Sequence, residues 1–168
     1  MKTPRVWVLV ADGSRARILR DPFRQRESEE SREELIFRAE QRQLREIMAD
    51  KPGRSFASEG ARRSSMEYRS DPVREDERAF AALLTEVLDS HRRAGDFDRL
   101  AVIAAPRMLG DLRHAFTNAL RGVTIREIPR DLTKMPAAEL RDALVELDVG
   151  RVPLGEAASV AGARTPSP

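Results

Sequence analysis

The chain has no cysteine. That absence excludes disulfides, thiolate zinc sites, iron–sulfur clusters and cysteine nucleophiles, and it fits the cytosol. Aromatic residues are scarce, with one Trp, one Tyr and six Phe, so Leu, Val, Ile and Ala must build the core. No stretch approaches the roughly 20 apolar residues that span a bilayer. Near the start only six apolar residues, Val6 to Ala11, precede Asp12, too few for a secretory signal with its cleavage site. The sequence therefore predicts a cytoplasmic protein with no membrane partner. Lysine is nearly absent beside arginine, and the abundant Ala and Arg speak for a GC-rich coding sequence more than for a nucleic-acid binder.

What is present is length and balanced charge. At 168 residues one domain with a real core is expected. Charged residues make up 35%, which implies a heavily solvated surface, but 30 basic and 28 acidic residues nearly cancel. The chain is not globally basic.

Val6-Trp7-Val8-Leu9-Val10-Ala11 is a short apolar run that reads as a buried strand. Asp12-Gly13-Ser14 supplies turn chemistry, and Arg15 to Arg20 alternates partly, so a hairpin is expected. Glu34 to Arg38 is expected as a third, exposed strand and Gln41 to Met48 as a short helix; one helix from Ser31 onward is the alternative. From Asp50 to Ser70 the periodicity disappears into Gly, Ser, Arg and Pro. Such a long patternless stretch is usually functional or disordered. Asp71-Pro72 then starts a helix, because Asp caps free N–H groups and Pro suits the first helical position. Phe80, Leu83, Leu84, Val87, Leu88 and His91 define its inner face. Leu100 to Ala105 is a second buried strand. Pro106 opens a helix with Leu109, Leu112, Phe116 and Leu120 inward, closed by Gly122. Val123 to Ile128 alternates as a strand, and a last helix runs from about Pro136 to Leu147.

This order predicts an α/β fold with a mixed five-stranded sheet: three antiparallel strands, then helices alternating with parallel strands, with helices on the faces. Residues 1–148 are expected as one domain with a long loop at about 50–70, and residues 149–168 as a disordered tail.

Candidate chemistry is thin. Asp12 has two readings: a hairpin turn whose Asp bonds its own backbone, which is ordinary turn chemistry, or a metal-binding acid. A metal needs several converging oxygens, and Ala104-Ala105-Pro106 offers no carboxylate. The 51–69 loop sets Lys51, Arg54, Arg62, Arg63 and Arg69 against Glu59 and Glu67. A basic loop with glycines and serines suits phosphates, and Phe56 or Tyr68 could stack on a base; a plain solvated connection is the alternative. The loop has no Walker spacing, so nucleotide binding through a P-loop is not supported. Arg107 follows a parallel strand at the start of a helix, where ligands of open α/β sheets gather. Lys134 falls on the same side by this topology, although Pro106 alone explains the helix start. His91 is expected partly buried near its helix end and His114 exposed, with no acid partner evident for either.

Several segments resemble the bacterial family named for a protein required for attachment to host cells. They are Trp7-Val8-Leu9-Val10-Ala11-Asp12-Gly13-Ser14-Arg15-Ala16-Arg17-Ile18; Asp50-Lys51-Pro52-Gly53-Arg54-Ser55-Phe56 with Ser58; Asp71-Pro72 followed by Glu75, Glu77 and Phe80; Gly95-Asp96-Phe97-Asp98-Arg99-Leu100 through Ala104-Ala105-Pro106-Arg107-Met108-Leu109-Gly110; and Asp131-Leu132-Thr133-Lys134-Met135-Pro136. The resemblance implies a distant kinship with the middle domain of archaeo-eukaryotic peptide-chain release factors, and hence a ribonuclease-H-like layout. Release factors hydrolyse peptidyl-tRNA through a Gly-Gly-Gln loop, which this sequence lacks, so no catalytic residue carries over. In ribonuclease-H-like enzymes an acid near Asp12 binds a divalent metal.

These readings combine into one leading expectation. The chain is a non-catalytic intracellular protein that engages RNA or the ribosome through Lys51, Arg54, Arg62, Arg63, Arg107 and Lys134, without a cofactor. An indirect role in host attachment and a metal-dependent hydrolase using Asp12 are the alternatives.

Overall fold

A computed structural model describes residues 3–23, 34–39 and 71–151. Val6–Ala11 forms β1, and all six residues are buried. A strand covered on both faces has no solvated side, which is why it reads as an unbroken apolar run. β1 pairs antiparallel with β2 (Arg15–Arg20), from Trp7 opposite Arg20 to Ala11 opposite Ala16. β2 pairs antiparallel with the short edge strand β3 (Leu35–Arg38). On its other side β1 pairs parallel with β4 (Arg99–Ala104), and β4 pairs parallel with β5 (Thr124–Ile128). The order β3-β2-β1-β4-β5 is the mixed five-stranded sheet expected.

The period of two sorts β1 between two cores. Trp7, Leu9 and Ala11 face α1 (Pro72–Arg93), α2 (Pro106–Ala115) and α3 (Asn118–Val123), meeting Phe80, Leu84, Leu88, Met108, Leu112 and Leu120. Val8 and Val10 face α4 (Ala137–Glu146), meeting Leu140 and Leu144. Packing runs on past α4, where Val149 is fully buried.

α1 starts as expected: the Asp71 carboxylate accepts from the Val73 N–H at 3.0 Å, with Pro72 behind it. Its inner face is narrower than the sequence implies. Phe80, Leu84 and Leu88 are buried, but Leu83 is 45% exposed. At 100° per residue, a stripe centred on Leu84 leaves Leu83 on the flank.

The helix expected from Pro106 to Gly122 is two helices. Phe116 is extended (ψ 134°), and Thr117 caps α3 by accepting from the Leu120 N–H at 3.1 Å. A threonine that bonds the backbone two or three residues on competes with helix continuation. Gly122 therefore lies inside the short α3 rather than beyond a long helix. Leu109, Leu112, Phe116 and Leu120 are all buried, so the break keeps the apolar pattern. β3 is exposed as expected, with Ile36 at 65%. The helix anticipated over Gln41–Met48 and the tail from residue 152 lie outside the described residues.

Candidate functional site

β1 and β4 run parallel and finish side by side, at Ala11 and Ala104. The turn Asp12-Gly13-Ser14 leaves the sheet at that edge. Asp12 Oδ1 accepts from the backbone N–H of Ser14 (2.8 Å) and Arg15 (2.7 Å) and from the Ser14 hydroxyl (3.3 Å). This is the self-bonded turn that the Asp-Gly-Ser triplet encodes. The other oxygen reaches much further. Asp12 Oδ2 lies 3.0 Å from the Thr133 hydroxyl oxygen, across 121 residues of sequence. Burial pushes the Asp12 carboxyl up. The Ser14 and Arg15 N–H groups, with the Thr133 and Ser14 hydroxyls, outweigh that and hold it below the ordinary carboxylate value.

Thr133 is itself tied down. Asp131 Oδ1 accepts from the Thr133 N–H at 3.0 Å and lies 2.5 Å from the Thr133 hydroxyl. That hydroxyl has one proton, which it gives to one of the two carboxylates at a time. Arg17 holds the same loop from the sheet. Its Nε and Nη2 donate to the two Glu34 oxygens at 2.6 and 2.7 Å, and its Nη1 donates to the carbonyls of Thr133 (3.2 Å) and Met135. The Arg17 and Glu34 side chains are only 13% and 11% exposed.

On the opposite face of the turn, α1 and α2 supply a second network. A Cβ on Gly13 would come within 2.6 Å of Glu77 Oε2, so the bare glycine lets this carboxylate close against the turn. Glu77 Oε1 lies 3.7 Å from Arg107 Nη1. Arg74 makes a two-pronged pair with the buried Asp111, both bonds 2.6 Å. The Asp111 bonds, opposed by burial and aided by the charges of Asp111, Glu77 and Asp71, hold the Arg74 guanidinium above its ordinary value.

A cleft of about 320 Å3 opens beside the turn, lined by Asp12, Gly13, Ser14, Ala39, Val73, Asp76 and Glu77. The Ala39 N–H donates to the Ser14 carbonyl at 2.7 Å. Ala39 is the last described residue before the 40–70 stretch, and Val73, which lines the cleft, is the third after it. Both ends of that stretch therefore meet the fold at this edge.

Of the residues expected to bind anions, Lys51, Arg54, Arg62 and Arg63 lie outside the described residues. Arg107 and Lys134 are both exposed and flank the Asp12 turn. Arg107 connects through Glu77 and Gly13, and Lys134 through its neighbour Thr133. Arg107 shares its charge with Glu77, whereas Lys134 forms no ion pair with any described residue. Among the described residues no three His, Asp or Glu side chains are gathered to hold a metal ion, so Asp12 has no set of fellow ligands there.

The histidines resolve differently. His114 is exposed, as expected. His91 has an acid partner that its sequence surroundings did not announce: Nδ1 lies 2.7 Å from Asp96 Oδ2, and its ring sits 5.0 Å from Trp7. Arg17, Glu34 and Asp111 went unnoticed in the sequence. The one local signal was a charged Arg17 between Ala16 and Ile18, inward-facing strand positions.

A model of the family described as "protein required for attachment to host cells" matches residues 7–144. The chain belongs to that family. No curated protein matches the sequence. The host-attachment match runs from β1 into α4 and takes in Asp12, Arg17, Glu77, Arg107, Thr133 and Lys134. No described helix of this chain is long and apolar enough to cross a membrane.

Proposed function

We propose that this chain is a non-catalytic binding protein that engages RNA, free or within the ribosome, inside the cell. Arg107 and Lys134 contact phosphates from either side of the Asp12 turn, and Lys51, Arg54, Arg62 and Arg63 extend that contact along the strand. The observation that carries the reading is the shared edge. The segment holding the four loop cations joins the fold at the turn that Arg107 and Lys134 flank. The resemblance to release-factor middle domains that the family implies, and the missing Gly-Gly-Gln, support RNA contact without hydrolysis. Arginines suit phosphate geometrically, and exposed lysine serves as a point charge.

The test is titration of a labelled single-stranded RNA at increasing salt. Six cations on single-strand phosphates give a slope of log affinity against log salt of about −4. The triple variant Arg54→Ala, Arg62→Ala, Arg63→Ala flattens that slope. No salt-sensitive binding by the native protein, or a triple variant that binds as well, would sink the proposal.

The family description supports a second reading, an indirect part in attachment to host cells. An RNA-binding protein acts on attachment from inside by changing what the cell makes. Protease shaving of intact cells distinguishes this from a direct adhesin: an internal protein survives, and one presented at the surface is lost.

A further inference from the structure

We infer that Arg17 and Thr133 are positioning residues for Lys134, holding its turn in one pose at the sheet edge. The inference rests on the RNA-binding reading for its consequence, but its structural half stands separately. Lys134 is exposed between two anchored neighbours: Thr133 is 7% exposed, and Met135 packs against the core beneath α4. The carbonyls on both sides of Lys134, those of Thr133 and Met135, accept from the same Arg17 nitrogen. Arg17 is held from the other side as well, because its other two nitrogens donate to both oxygens of Glu34. Thr133 adds a second tether, its hydroxyl held by Asp12 and Asp131. A further backbone bond, from the Met135 N–H to the Leu132 carbonyl at 3.2 Å, closes the turn.

The consequence is that the lysine stem starts from a fixed point. A cation on a rigid turn loses less freedom on meeting a phosphate than one on a loose loop. Arg17 and Thr133 thus act through Lys134 without touching the ligand. Lysine at position 17 keeps the charge but cannot make a planar, four-bond bridge. Serine at position 133 keeps the hydroxyl, and valine keeps the shape but removes it.

The experiment compares Arg17→Lys, Thr133→Val, Thr133→Ser and Lys134→Ala in the full chain, each checked by circular dichroism to be folded at the assay temperature. Two readouts are taken: amide hydrogen exchange over residues 131–136, and the salt slope for a labelled single-stranded RNA. Arg17→Lys and Thr133→Val are expected to speed exchange in that turn, and Thr133→Ser to retain protection. In the RNA titration Lys134→Ala loses one phosphate contact, a change of about 0.7 in slope. Arg17→Lys and Thr133→Val follow it, and Thr133→Ser does not. Unchanged exchange in both Arg17→Lys and Thr133→Val overturns the inference whatever the RNA result. So does faster exchange with a native slope, if Lys134→Ala shifts that slope. If the native chain binds no RNA, the function proposal falls and exchange alone decides whether these two residues hold the turn.

Discussion

Each end of β1 is tied to a distant part of the chain through an aspartate, and the two ties use different chemistry. At the start of the strand, Asp98 accepts from the Arg5 backbone N–H at 2.8 Å and from its guanidinium at 3.3 Å. At the finish, Asp12 has neutral partners alone: it accepts from two backbone N–H groups and the Ser14 hydroxyl, and it shares the Thr133 hydroxyl proton with Asp131. Both carboxyls are pushed up by burial and held below the ordinary value by their partners, Asp98 by the Arg5 N–H and guanidinium with help from Arg99. The Arg5 and Asp98 side chains are 42% and 43% exposed, so this pair is wet and screened. Asp12 has its charge satisfied by hydrogen bonds but not cancelled. One end is an ion pair on the surface; the other is a fixed negative turn on which a loop is hung.

The comparison is broken most severely at the Asp12 end. Arg17→Met strands the nearly buried Glu34 without its partner and is expected to cost about 3 kcal/mol by urea unfolding. A loss under about 1 kcal/mol would mean that Glu34 finds water or another cation. Asp12→Ala removes the acceptor of the turn and is expected to cost about 2 kcal/mol, unchanged between low salt and 1 M NaCl because its donors are neutral. Asp98→Ala is expected to cost less than about 1 kcal/mol at low salt, and the cost should shrink in 1 M NaCl as Arg5 is screened. Equal salt responses for the two alanine variants would erase the distinction.

Acid gives the finest comparison. A carboxyl whose folded pKa is depressed contributes stability above its unfolded value, about 3.9, and loses it as pH falls through the folded value. Native stability should therefore decline below about pH 4, and each alanine variant should show a shallower decline there than the native chain. Raising the salt should flatten the part due to Asp98 more than the part due to Asp12.

Much of the frame was legible because it is local. Val6–Ala11 announces itself by six apolar residues, and Asp71-Pro72 by capping chemistry. Asp12-Gly13-Ser14 reads as a turn, and the order of elements yields the mixed sheet. The helix break at Phe116–Thr117 is hidden in the sequence because Leu109, Leu112, Phe116 and Leu120 keep helical spacing across it, and one threonine outweighs the periodicity. Leu83 reads as inward because apolar character alone does not give the centre of a buried stripe. The clasp around Lys134 could not be read at all. It depends on Arg17 meeting residues 116 and 118 positions later, and on a threonine hydroxyl falling beside Asp12. Such contacts are consequences of the fold and leave no periodic trace.

The central place of β1 also shapes how the chain is made. β2 follows β1 at once, so that partner is synthesised within a few residues of it. The other edge of β1 waits for Arg99–Ala104, an interval on the order of ten seconds at ordinary translation rates. Through that interval an apolar strand offers a bare row of N–H and C=O groups to any neighbouring chain. Transcripts truncated before Arg99 should thus yield sticky, aggregation-prone fragments, and the nascent protein is a natural client for chaperones that shield unpaired strands.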